Sequence, residues 1–123
     1  MNNERLEVFI YVNKINKTTK ASIGIYLKYY DKNNEFIMDK KMSSGEISYK
    51  KFTEEIIYRS IIDSLSLIKN RDIKTIVYCS YDGSYPRCRD LDKLVKKFYR
   101  VNFIFNYEDE TARLISKEGL KEE

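Results

Sequence analysis

The sequence predicts a mixed α/β fold: a five-stranded sheet with helices on both faces, its elements running β-β-β-α-β-α-β-α. Three observations carry that expectation. From Leu6 to Met42, β-branched and aromatic runs are interrupted only by Asn- and Lys-rich stretches, as in a hairpin meander. Between Ser48 and Asn70 the apolar residues change to helical spacing. Beyond Lys74, strand-like and helix-like runs take turns, the pattern of strands joined by helical crossovers.

The first strand is LEVFIYV, Leu6 to Val12, followed by the polar turn NKINKTTK. ASIGIYLKYYD alternates as a second strand, KNNE supplies Asn-rich turn chemistry, and FIMDKKM completes an antiparallel meander. Ile57, Ile61, Leu65 and Ile68 then recur at helical spacing, with Ser48 as the expected N-cap and Asn70 as the stop. TIVYCSY is the fourth strand and DGSYP punctuates it. DLDKLVKKFYR reads as a short helix, VNFIFNY as the fifth strand and DETARLISKEGL as a closing helix. With no repeat, low-complexity tract or linker, one domain is expected over residues 1–123. Ligands of such sheets gather at strand ends near the switch point, here the carboxyl end of the first strand beside the fourth.

Composition narrows the chemistry. The 123 residues include no His, which excludes His-based triads, His-ligated zinc and histidine general bases. Carboxylates, Lys, Tyr and two Cys remain, so metal chemistry on carboxylates, or binding, is what is left. The net charge of +4 permits an anionic partner without demanding one. Cys79 and Cys88 are too few for a disulfide scaffold or a thiolate cage, and a reduced, cytoplasmic protein is expected. There is no secretory leader, and no apolar run approaches the ~20 residues that span a bilayer, so no membrane partner is expected.

Several local stretches add a resemblance. The run Tyr11-Val12-Asn13-Lys14-Ile15-Asn16-Lys17-Thr18-Thr19 is followed by Gly24 in SIGIYL. Val77-Tyr78-Cys79-Ser80-Tyr81-Asp82-Gly83 ends the fourth strand, and Asp109 to Leu120 forms the last helix. In this order, and with this order of elements, they resemble the ribonuclease H-like fold, particularly the bacterial viroplasmin-related ribonuclease H group. That resemblance implies hydrolysis of an RNA strand by two divalent metals held on carboxylates. It also implies that the carboxylates are largely replaced here: the first-strand Asp falls on Asn13, the fourth-strand Asp on Ser80 and the last-helix Asp on Arg113. The first-helix Glu falls on Glu54 by its place in the apolar stripe, or near Ile57 by a gapless count back from Ser80.

Mg²⁺ prefers hard anionic oxygens, so an Asn amide and a Ser hydroxyl are poor substitutes, and a guanidinium repels the cation. The expectation is a catalytically degenerate domain with no metal and no cofactor. In the alternative, Glu54, Asp82 and Asp109 rebuild a relocated site that would take Mg²⁺. Arg113 is either a surface residue or the partner of Glu54, its charge standing in for the metals.

Cations suggest how nucleic acid would be held. If DLDKLVKKFYR is one helix, Lys93, Lys96, Lys97 and Arg100 share a face suited to phosphates; the plainer reading is a solvated face balanced by Asp90 and Asp92. Lys14, Lys17 and Lys20 follow the first strand, and Tyr81 and Tyr85 offer stacking faces. Tyr11, Tyr26 and Tyr78, with Met38 and Met42, read as packing residues. Where the family carries a first-strand Gly-Ser pair, this chain has Lys14 and Ile15, so the partner left open is RNA or DNA bound through phosphates, or a protein.

Overall fold

The computed structural model describes residues 3–15, 18–81 and 89–118. Strands β1 (Arg5–Lys14), β2 (Lys20–Tyr30) and β3 (Phe36–Ser48) form the antiparallel meander. A π-helical turn (Phe52–Ile57) leads into helix α1 (Tyr58–Ser66). Then come β4 (Lys74–Cys79), helix α2 (Arg89–Val95), β5 (Arg100–Ile104) and helix α3 (Glu110–Glu118). The sheet order is β3-β2-β1-β4-β5, with β1, β4 and β5 mutually parallel. Element order and mixed sheet therefore match the fold read from the sequence.

Alternation in β1 explains the layering. Leu6, Val8 and Ile10 point to one face, where they pack with Ile23, Ile25, Val77 and Cys79 beneath Ile56, Ile61 and Leu65 of the first helix and Leu91 of α2. Phe9 points to the other face, where Tyr26 joins it under Ala112 and Ile115 of α3. Both faces of β1 are covered, which is why it reads as a continuous apolar run. Gly24 sets the closeness of the second layer: a Cβ built there would lie 2.2 Å from the Ala112 carbonyl oxygen and 2.6 Å from the Ser116 nitrogen. The backbone of α3 thus rests directly on β2.

The β2–β3 turn follows the Asn-rich chemistry. Asp31 Oδ1 accepts from the amides of Asn33 (2.9 Å) and Glu35 (3.0 Å), while Asn34 adopts a left-handed φ of 65°. β3 forms one edge of the sheet, and its register on β2 shifts at Ser22/Gly24 and again at Tyr29/Tyr30. Its first residues, Phe36, Ile37 and Met38, are about half exposed, so Met38 is a surface residue rather than the packing residue expected; Met42 does pack against the core.

Three local expectations are corrected. Ser48 does not cap the first helix, because it is the last residue of β3. The amides of Lys50 and Lys51 instead donate to Glu55 Oε2 (3.1 and 2.6 Å) at the start of the π-helical turn. The helix ends at Ser66, and Asn70 lies beyond it, where its Oδ1 accepts the Asp72 amide (3.1 Å). The stripe Ile57, Ile61, Leu65 and Ile68 is buried throughout, as its spacing predicts. α2 stops at Val95, because the amides of Lys97 and Phe98 bond back three residues rather than four and turn the Phe98 ring into the core. The Lys93, Lys96, Lys97 and Arg100 cations consequently do not share a helical face: Lys96 and Lys97 lie in the turn and Arg100 opens β5. Among the described residues no helix is long and apolar enough to cross a membrane.

Candidate functional site at the strand ends

β1 and β4 run side by side and parallel, so Asn13 near the end of β1 and Ser80 just beyond β4 lie at the same end of the sheet. The Ser80 amide donates to the Ile10 carbonyl (3.0 Å), and the Val12 amide donates to Ser80 Oγ (3.1 Å). The hydroxyl thus prolongs the β1–β4 ladder beyond the end of β4, and one of its lone pairs is committed to backbone. Asn13 is half-buried on the same face as Tyr11 and stands opposite Ser22 of β2.

Arg113 comes to this end from α3. Its guanidinium forks onto Glu110 one turn earlier, Nε to Oε2 at 3.1 Å and Nη2 to Oε1 at 2.5 Å. That carboxylate, with smaller contributions from Tyr11 and Glu108, pushes its pKa further up, so Arg113 is a permanent cation. Conversely, Arg113 holds the Glu110 carboxyl below its ordinary value. Arg113 therefore does not pair with Glu54. Glu54 is exposed on the π-helical turn, where its carboxylate faces Lys51 at 3.6 Å.

Ile57, the other position weighed for the family Glu, is buried at the head of α1, and its carbonyl accepts the Ser60 hydroxyl at 2.6 Å. Ser60 Oγ in turn lies 3.5 Å from the Tyr81 hydroxyl, so Ser60 is the helix residue that faces Tyr81 just beyond β4. The π-helical turn explains why stripe-based counting favoured Glu54: it inserts extra residues per turn and puts Glu54 out of phase. Asp109 caps α3, its Oδ2 accepting the Ala112 amide at 3.0 Å. Asp82 lies outside the described residues, among which no three His, Cys, Asp or Glu side chains are grouped to hold a metal ion.

Tyr81 does not present a stacking face. It packs against the core and on Phe105 (5.9 Å), its hydroxyl bonds to the Cys79 thiol, and burial drives its pKa strongly upward. Burial likewise pushes the Cys79 thiol up to about 11. Of the remaining candidates, Lys14 lies over the Phe52 ring at 5.0 Å and Lys20 pairs with Glu46 at 3.0 Å. Lys17, Tyr85 and Cys88 fall outside the described residues. Arg100 is at the amino end of β5 beside Lys74, the far end of the sheet, six residues or roughly 20 Å from Ser80.

No protein-family model matches the chain, and no curated protein does. Solved structures do. The chain is similar to the N-terminal RNase H domain of Rv2228c from Mycobacterium tuberculosis, solved fused to maltose-binding protein, at TM-score 0.61 and 12% identity over 96% of this chain and 94% of that one. RNase H1 from the halophilic archaeon Halobacterium salinarum is similar at TM-score 0.55 and 13% identity, over 94% and 96% of the two chains. LC11-RNase H1 in complex with an RNA/DNA hybrid is similar at TM-score 0.50 and 14% identity, over 92% and 91%. The likeness shows that this mixed five-stranded sheet with its helices has the RNase H fold.

Proposed function

We propose that the chain is a catalytically degenerate ribonuclease H-like domain, a single unit over residues 1–123, that holds nucleic acid without cutting it. One observation carries the proposal: at the positions where the resemblance puts the family's carboxylates, a lone pair of the Ser80 hydroxyl is committed to the Val12 amide and Arg113 is a cation forked onto Glu110. The two divalent metals that the fold family implies do not fit this donor set. The Asn13 amide oxygen, the committed Ser80 hydroxyl and the Arg113 guanidinium supply no anionic ligand, the guanidinium opposes a metal electrostatically, and the exposed Glu54 carboxylate faces Lys51. The nearby carboxylates have other work, Asp109 as a helix cap and Glu110 as the partner of Arg113.

Binding is supported by the RNase H fold and by unpaired surface cations. Among the described residues Lys93, Lys96, Lys97 and Arg100 are exposed and make no ion pair, whereas Lys20 is neutralised by Glu46. The first-strand frame from Tyr11 to Thr19 supports placement in the viroplasmin-related group. The fully buried Cys79 thiol accords with a reduced, cytoplasmic setting.

The test is incubation of the purified protein with labelled RNA–DNA hybrid, double-stranded RNA and single strands in Mg²⁺ or Mn²⁺. Retardation without cleavage is expected. Cleavage that disappears in Asp82→Asn or Asp109→Asn would overturn the proposal in favour of a relocated site. Absence of both cleavage and retention would turn the domain into a protein-interaction module.

A further inference from the structure

α3 covers only part of its face of the sheet. It lies over β2 at Gly24 and reaches Phe9 and Tyr26, and among the described residues no helix lies over the amino-terminal ends of β1, β4 and β5 on that face. Strand register places Arg5 opposite Lys74 and Lys74 opposite Arg100. Three cations on adjacent strands, about 4.8 Å apart from strand to strand, therefore form one row across the sheet.

Like charges directly opposite one another are destabilising. Arg5 is compensated within the fold: it has Glu7 at 2.9 Å, stacks over Tyr30 at 4.1 Å and donates to the Asn3 carbonyl and to Asn34 Oδ1. Lys74 and Arg100 have no charged partner among the described residues. Folding gains nothing from the Lys74 and Arg100 charges, whereas binding of a polyanion would.

Toward the carboxyl end of the same face lie aromatic surfaces. The Tyr78 ring stacks on Phe9 at 4.7 Å, and Tyr107 closes on Tyr78 at 4.8 Å. Tyr107 remains 44% exposed and Ile104, opposite Tyr78 on β5, 42%, so the outer side of this stack faces solvent. Lys28, over both Phe9 and Tyr26, adds another cation to the same face. From Lys74 to Tyr78 is four residues of strand, roughly 13 Å.

We propose that this open half-face binds single-stranded RNA or DNA, with phosphates on the row Arg5, Lys74 and Arg100 and a base stacked on Tyr107. Single strands fit because only an unpaired base can lie on an aromatic ring, and because the face carries no helix or ribbon to enter a duplex groove. The span suits the short end of single-strand site sizes, about 4 to 16 nucleotides. The inference rests on the nucleic-acid-binding reading above but lays the contact along this face, from the amino-terminal cations to Tyr107, whose amide donates to the Cys79 carbonyl at 3.0 Å.

Fluorescence anisotropy with labelled oligo(U), oligo(dT) and a duplex of equal length tests it. Both single strands should bind more tightly than the duplex. Lys74→Ala with Arg100→Ala should weaken binding and reduce the salt slope by about 1.4, at roughly 0.7 per single-strand phosphate contact. The same double variant should melt no lower than wild type, since it relieves like-charge opposition, which separates lost contacts from lost folding. Tyr107→Ala should cost about fivefold or more in affinity, and Tyr107→Phe should restore it. Unchanged affinity and slope in the double variant, or preference for duplex, would overturn the assignment. If Lys14→Ala with Lys20→Ala alone abolishes binding, the nucleic-acid reading stands and this face is removed from it. No binding to any probe would overturn both.

Discussion

Replacing Gly24 with Ala tests how α3 is seated. The added methyl would meet the Ala112 oxygen at 2.2 Å, the Ser116 nitrogen at 2.6 Å and the Ser116 Cα at 3.1 Å. All three are backbone atoms of one helix, so no side chain can rotate away, and the helix must lift by about 1 Å to restore ordinary contact. Overpacking of this kind costs about 1–3 kcal/mol, and the rigid obstacle puts Gly24→Ala near the upper end. With an unfolding entropy of about 2.1 cal/mol/K per residue over 123 residues, 3 kcal/mol corresponds to a Tm lower by about 12 °C. Gly45→Ala is the matched comparison: φ is +71° there but nothing lies within 4 Å, so only backbone strain is paid, about 1 kcal/mol or about 4 °C. Thermal unfolding followed by far-UV circular dichroism reads both. A Gly24→Ala protein that melts within about 2 °C of wild type, or above Gly45→Ala, would refute direct contact between α3 and the sheet.

Three further outcomes are expected. Wild type should show no Tm shift in millimolar Mg²⁺ or Mn²⁺, whereas Asn13→Asp, Ile57→Glu, Ser80→Asp and Arg113→Asp combined should gain metal-dependent stabilisation; a folded but unresponsive variant would show that these positions do not share a site. Burial, then the hydrogen bond to Asp39, pushes Tyr26 from 10.0 to about 12, and burial pushes Cys79 from 9.0 to about 11. Both folded pKa values are raised, so their contribution is complete below the unfolded values and lost as pH rises through the folded ones: Tm should be level to about pH 9 and fall between 9 and 12, less steeply above 10 in Tyr26→Phe. In a Cys88→Ser background, Cys79 should react with a thiol reagent only after unfolding, because it is fully buried; rapid native labelling would contradict that burial.

The strands and the main helix were legible because their apolar patterns are local: LEVFIYV reads as buried on both faces, and the stripe from Ile57 to Ile68 is the buried one. The end of α2 was not, since Lys96 and Lys97 look helical until Phe98 is known to turn into the core. The π-helical turn was equally invisible, and it sets Glu54 on an exposed turn beside Lys51. Asn13 and Ser80 could be brought together from the sequence because adjacent parallel strands share an end. The partner of Arg113 is legible in principle, because Glu110 three residues earlier is a standard helical pairing distance, although the sequence reading offers only a surface residue or a pair with Glu54. The cation row depends on the pairing register of three strands distant in sequence, which no local pattern encodes.

β3 leaves a long outer edge of 13 residues with Phe36, Ile37 and Met38 exposed at its start, the composition from which strands of separate molecules add to one another. Two breaks in its register on β2 twist that edge, and Lys40 and Lys41 follow the apolar triplet as charged gatekeepers. These two exposed lysines, Lys41 also lying over the Tyr26 ring at 5.9 Å, are therefore what guards the edge against chain-to-chain pairing. Neutralising both would leave the melting temperature nearly unchanged while turning the edge into a template for chain-to-chain growth.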